Sequence, residues 1–117
     1  MKFSVLAAIV SEDYEQKVID GARELGAGGI TLLSGRGIGS DAKKTFFGMT
    51  YEGSQSIIIM VLEKGLSLEI LKSIQTLIVD KKNNDSHGVV FTLPLEHLGG
   101  IDLSQLAKFE QHLKENL

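Results

Sequence analysis

Residues 30–49 read ITLLSGRGIGSDAKKTFFGM, and the fold turns on how the chain continues beyond their opening strand. Ile30, Leu32 and Leu33 have the apolar composition of a buried strand, and Gly35, Arg36, Gly37, Ile38 and Gly39 come directly after it. Two parallel-sheet nucleotide motifs begin this way. The dinucleotide fingerprint needs a third glycine at position 40, where Ser40 stands, and a helix opening at once so that its dipole meets the pyrophosphate. Residues 41–53 carry no helical stripe. A P-loop fails in the same way, because Lys43 occupies the place of the required glycine before Lys44-Thr45 and no helix begins there. What remains is a long connection. Its glycines let backbone N–H groups turn toward one point, with Arg36 and Lys43 or Lys44 to balance a phosphate or carboxylate; the competing reading is a solvated loop with no ligand. Phe46, Phe47, Met49 and Tyr51 make this connection too apolar for a free tip. It reads either as a finger docking on a partner protein or as a segment packed against a neighbouring copy.

Upstream, Phe3 to Val10 is a short apolar run with polar ends, read as a strand buried on both faces. Asp13 and Gln16 can form a capping box, and Tyr14, Val18, Ala22 and Leu25 recur at helical spacing before Gly26 offers a left-handed stop. Downstream, Ser56 to Leu62 is a third strand, apolar without alternation. A second helix starts at or near Ser67, with Ile70, Leu71, Ile74, Leu77 and Ile78 as its stripe. It ends in the polar stretch 80–88, Val89 to Leu93 forms a fourth strand stopped by Pro94, and Asp102 with Gln105 can cap a third helix over about residues 103–116.

The order strand, helix, strand, strand, helix, strand is the βαββαβ pattern of a ferredoxin-like α+β sandwich, here with an extra C-terminal helix. Right-handed crossovers put both core helices on one face of an antiparallel four-stranded sheet. The first strand nevertheless carries Phe3, Val5, Ala7 and Ile9 on one side and Leu6, Ala8 and Val10 on the other. A large bare apolar face is not tolerated on a monomer. Either the last helix folds under the sheet or copies of the chain pack sheet to sheet, and self-association is the expectation because one narrow stripe covers four strands poorly.

The 117 residues suit one domain, residues 1–117, and 43% hydrophobic with 23% charged residues excludes a disordered or fibrous chain. Without cysteine there are no disulfides, thiolate metal sites or thiol nucleophiles, and a cytoplasmic location is expected. A net charge of -3 argues against general nucleic-acid binding. The opening MKFSVLAAIV faintly imitates a secretory signal, but it runs into Ser11-Glu12-Asp13 without a small-residue cleavage pattern, and no later run is long enough to insert in a bilayer. His87, His97 and His112 lack metal spacing, so no metal is expected. Asp80, Asp85 and Glu96 form no acid–base pair and no serine has a nucleophile elbow, so no enzyme is expected.

Gly26-Ala27-Gly28-Gly29-Ile30-Thr31 running into Ser34-Gly35-Arg36-Gly37, then Phe47-Gly48-Met49, the strand from Ser56 to Glu63, and Gly88-Val89-Val90-Phe91-Thr92-Leu93-Pro94-Leu95, together resemble the PII-like signalling proteins over about residues 3–101. The resemblance implies a homotrimer with inward-facing sheets and a T-loop at about residues 36–54. It also implies clefts between subunits that take a small anionic effector, an adenine nucleotide among the candidates, and control of a transporter or enzyme through the loop. On this transfer Gly35, Arg36 and Gly37 lie at the loop base beside the ligand. Gly88 ends the second binding turn, where Lys81, Lys82 or His87 stands in for missing phosphate contacts, and Lys43, Lys44, Phe46, Phe47 and Tyr51 form the partner-facing loop. The chain departs from the family where Val89 replaces the usual lysine, where Gly99-Gly100 stands in place of an arginine-bearing C-terminal loop, and where Tyr51-Glu52-Gly53 stands in place of the Tyr-Arg-Gly around the modified tyrosine. Two other functions compete: an effector-independent interaction module and a small nucleotide hydrolase.

Overall fold

In the computed structural model the described residues are 2–36, 45–46, 49–50 and 54–100. The third helix expected near residues 103–116 lies outside them. Four long strands carry the architecture: β1 (Phe3–Ser11), β2 (Thr31–Arg36), β5 (Ser54–Glu63) and β8 (Gly88–Pro94), ordered β2-β5-β1-β8 across one sheet. Every neighbouring pair is antiparallel. β1 and β2 are therefore parallel to each other with β5 between them, joined through α1 (Glu15–Glu24); β5 and β8 are likewise parallel around β1, joined through α2 (Lys64–Ile78). These two interleaved strand-helix-strand units are the ferredoxin-like fold inferred from the order of elements.

Register and alternation decide which side chains form the core. Leu6 pairs with Met60 and Ala8 with Ile58, and all four join Val10, Leu62, Val18, Ala22, Leu66, Ile70, Ile74 and Ile78 in one buried cluster beneath the helices. Neighbouring residues point the other way: Val5, Ala7 and Ile9 pair with Val61, Ile59 and Ile57 on β5 and with Leu93, Phe91 and Val89 on β8. On that second face Leu33, Phe91 and Leu93 are 50%, 41% and 55% exposed. The two apolar sides expected of β1 are thus real, and only one of them is occupied by α1 and α2.

Both helix starts differ from expectation. A single 3-10 turn, Glu12–Tyr14, precedes α1, and no side chain caps either segment. Gln16 donates forward to Asp20 at 2.8 Å instead of reaching back to Asp13. α2 begins three residues before Ser67, because Glu63 accepts from the backbone N–H groups of Gly65 and Leu66, both at 2.9 Å. Ser67, displaced into the first turn, is 1% exposed. Glu63→Ala leaves two first-turn donors to water and is expected to lower unfolding stability by about 1 kcal/mol in urea denaturation, the usual value of a lost N-cap.

Four two-residue strands were not anticipated. β3 (Thr45–Phe46), β4 (Met49–Thr50), β6 (Val79–Asp80) and β7 (Asp85–Ser86) assemble in the order β3-β4-β7-β6. β3 and β4 form an antiparallel hairpin inside the long connection, β6 and β7 another across the polar stretch, and one parallel step, Met49 beside Ser86, joins them.

Candidate functional site

Of the expected ligand-facing residues, the described ones, Gly35, Arg36, Lys82, His87 and Gly88, gather at one end of the main sheet. Gly35 pairs with Gln55, Gln55 with Ser11, and the Ser11 amide donates to the His87 carbonyl at 3.1 Å. Gly35 and His87 therefore belong to one transverse row that crosses all four strands. They occupy opposite edges, three strand spacings or about 14 Å apart. Gly35 and Arg36 close β2 at one edge, and the register sets Arg36 on the helix-bearing side with Ser54. Gly88 opens β8 at the other edge, and Lys82 lies in the turn before it. Gly37, Lys43, Lys44, Phe47 and Tyr51 lie outside the described residues, and of Phe46 the structure gives the backbone alone, within β3.

The 80–88 turn is built by its own polar side chains. One carboxylate oxygen of Asp80 accepts from the amides of Lys82 at 3.0 Å and Asn83 at 3.4 Å, and the other accepts from the Asn83 side-chain amide at 2.7 Å. Asn84 takes φ 51°, a left-handed conformation asparagine tolerates better than most residues. The Asn83 side-chain bond first, then its backbone bond, hold the Asp80 carboxyl below the usual aspartate range, with smaller help from the Lys82 amide and the charge of His87 against the opposing effect of desolvation. A carboxyl depressed in the folded state contributes stability above its unfolded pKa and loses it as pH falls through the folded value. The amide signals of Lys82 and Asn83 are accordingly expected to titrate together with a midpoint below that of an unstructured aspartate, and Asp80→Ala should abolish that transition.

His87 is more than a surface residue. Its ring stacks on Tyr14, with centroids 4.7 Å apart and planes at 18°, and the Lys17 ammonium lies 5.1 Å from the Tyr14 centroid. The His87 amide donates to Ile78 at 2.8 Å. α1, the end of α2 and the turn are thereby pinned together around a cleft of about 620 Å³ whose lining includes Tyr14, Gln75, Leu77, Lys81, Lys82 and His87. Lys81 and Lys82 bring positive charge to the lining, and Asp80, also in it, spends its carboxylate on the turn. Sequence reasoning assigned Tyr14 to a helix stripe, and nothing local reveals a partner 73 positions later. Asp80 followed three residues on by Asn83, by contrast, is a legible turn signal.

Gly88 is glycine for a steric reason. A Cβ there would stand 2.6 Å from the Ile9 carbonyl oxygen and 2.7 Å from a Val10 methyl. Ser86 Oγ donates to the Gly88 carbonyl at 2.7 Å, closing the turn onto the strand. Gly35 is less constrained, since its added Cβ would meet the movable Ile57 methyl at 3.1 Å. Among the described residues no cluster of three or more His, Cys, Asp or Glu could hold a metal ion, and no helix is long and apolar enough to cross a membrane.

No curated protein matches the chain. Solved structures do. CPII from Thiomonas intermedia K12, bound to ADP, AMP and acetate, is 22% identical over 92% of this chain and 94% of its own, with a TM-score of 0.65. GlnK of B. subtilis, solved as its ATP complex, is 12% identical over 81% and 84%, with a TM-score of 0.61. A protein described as PII-like from Thermus thermophilus is 17% identical over 81% and 88%, with a TM-score of 0.59. At these identities the structures speak to fold. The family description Nitrogen regulatory protein P-II matches residues 3–102, which contain the whole βαββαβ core just described, and the chain belongs to that family.

Proposed function

We propose that this protein is a cytoplasmic PII-like sensor, a homotrimer that takes a small anionic effector in clefts between its subunits and passes that occupancy to a partner transporter or enzyme through loop 36–54. One observation carries the reading: Gly35, with Arg36 as the next residue of β2, stands in the same transverse row as His87 but at the opposite sheet edge. Both edges contact one small ligand when β2 of one copy approaches β8 of another. The exposed apolar face formed by Leu33, Phe91 and Leu93 supports the association that this requires.

An adenine nucleotide is the leading effector, given the chemistry of the cleft and the ADP, AMP and ATP named for the structural relatives CPII and GlnK. Bicarbonate is named together with ADP for CPII and is the second probe. Lys82 and His87 supply the positive and stacking contacts on the turn, while Arg36 supplies the charge at the loop base. The step joining Met49 to Ser86 gives the turn a direct mechanical link to the loop.

The test combines sedimentation equilibrium with calorimetric titration of ATP, ADP, AMP and bicarbonate. The expected result is a trimer that binds at least one of them, with Arg36→Ala weakening that binding tenfold or more, as loss of a charged hydrogen bond does. A monomer, or heat of binding with none of the four, overturns the proposal. Binding accompanied by steady release of hydrolysed nucleotide would instead establish the enzyme reading.

A further inference from the structure

The sheet end remote from His87 holds a second cleft, of about 590 Å³, between the start of α2 and the outer ends of β1 and β8. We propose that it is a binding site for a small oxyanion, the carboxylate or phosphate group of a metabolite, separate from the sensor cleft. The proposal rests on which groups line it.

Ser4, Ser67 and Thr92 bring hydroxyls to the cleft from β1, α2 and β8. Ser4 and Ser67 are 6% and 1% exposed, and Ser67 Oγ has no hydrogen-bond partner among the described residues. A buried hydroxyl without an acceptor is unfavourable, and buried polar groups ordinarily find partners. An oxyanion entering beside α2 brings the acceptor that Ser67 lacks.

Charge selects the same ligand. Lys2 and Lys64 line the cleft mouth, and the Lys64 amide donates to the Lys2 carbonyl at 2.8 Å, holding the two lysine-bearing residues side by side. Neither ammonium forms an ion pair with a described residue. Glu63 is the one acidic residue among the described residues of the lining, and each of its carboxylate oxygens is committed to a backbone N–H of the first α2 turn at 2.9 Å. That commitment also means that the helix end is already satisfied, so binding depends on the hydroxyls and lysines. A cleft presenting donors and two ammonium groups repels cations and accepts anions.

Titration of the full ¹⁵N-labelled chain with inorganic phosphate, and separately with acetate, tests this by amide chemical shifts. Saturable shifts are expected at Ser4, Lys64, Ser67 and Thr92, while the amides of Arg36 and His87 stay in place. The anion that saturates at the lower concentration identifies the group recognised. Lys2→Ala with Lys64→Ala is expected to weaken binding at least tenfold, and Ser67→Ala about threefold, each with an otherwise native spectrum. Absence of saturable shifts with both anions overturns the proposal, as does binding unchanged in the double lysine variant. A separate adenine-nucleotide titration reports at Arg36 and His87, so failure of this site and failure of the sensor cleft are told apart.

Discussion

Gly88→Ala is expected to lower unfolding stability by about 2–3 kcal/mol, the upper part of the range for an overpacked interior position. The size reflects the atoms that the new methyl group meets. At 2.6 Å from the Ile9 carbonyl oxygen and 3.0 Å from the Val10 Cα it presses on backbone, not on a side chain that can rotate away. β1 is one of the two inner strands, hydrogen-bonded on both sides, so it cannot yield without disturbing β5 as well. The accommodating movement falls on β8 and, through Ser86 and His87, on the turn that forms one side of the proposed sensor cleft. Urea denaturation of Gly88→Ala beside Gly99→Ala provides the comparison. A Cβ at Gly99 meets nothing within 4 Å, so that variant is expected to stay within about 0.5 kcal/mol of the parent. Equal stabilities for the two variants would refute the steric account of Gly88.

Phe91→Asp is expected to dissociate the proposed trimer while leaving the subunit folded. Phe91 pairs with Ala7 on the face away from the helices and is 41% exposed within one chain. A carboxylate there remains hydrated in a monomer and costs the fold little. In a sheet-to-sheet assembly three such carboxylates lose water without partners, at about 3 kcal/mol or more for each chain. Sedimentation equilibrium should show a monomer at micromolar concentration, with circular dichroism unchanged. Effector affinity should fall with it, since a site shared between β2 and β8 edges needs two copies. A trimer that survives the substitution would place the interface on another surface.

The βαββαβ order was legible because hydrophobic burial writes a strong periodic signal: Val18, Ala22, Ile70 and Ile74 at helical spacing, Ile58, Met60 and Leu62 within one apolar run, and all seven buried in the structure. The second apolar sheet face was legible for the same reason: Val5 and Ile9 lie opposite the side that the α1 and α2 stripes cover, and Leu33, Phe91 and Leu93 on that face are exposed. Helix starts were less readable because several polar residues compete for the same backbone donors. Ser67 had the better capping chemistry, but Glu63 reaches two N–H groups at once and begins α2 earlier. Asp13 and Gln16 had suitable spacing, yet the 3-10 turn redirected the chain and Gln16 found Asp20. In the candidate site, Gly35 and Arg36 were expected as ligand contacts from the glycine run, and His87 and Gly88 from the family resemblance, while the Tyr14–His87 stack and the pairing of Met49 with Ser86 were not foreseen. Both join residues far apart in sequence, and no local periodicity records such contacts.

The joint between β4 and β7 is a single rung. One backbone hydrogen-bonded step is worth about 1 kcal/mol net, less than a tenfold preference for clasped over unclasped. On the proposed reading, an effector touching residues 80–88 has no need to wrench the hairpin loose; it only has to tilt the balance of so weak a clasp.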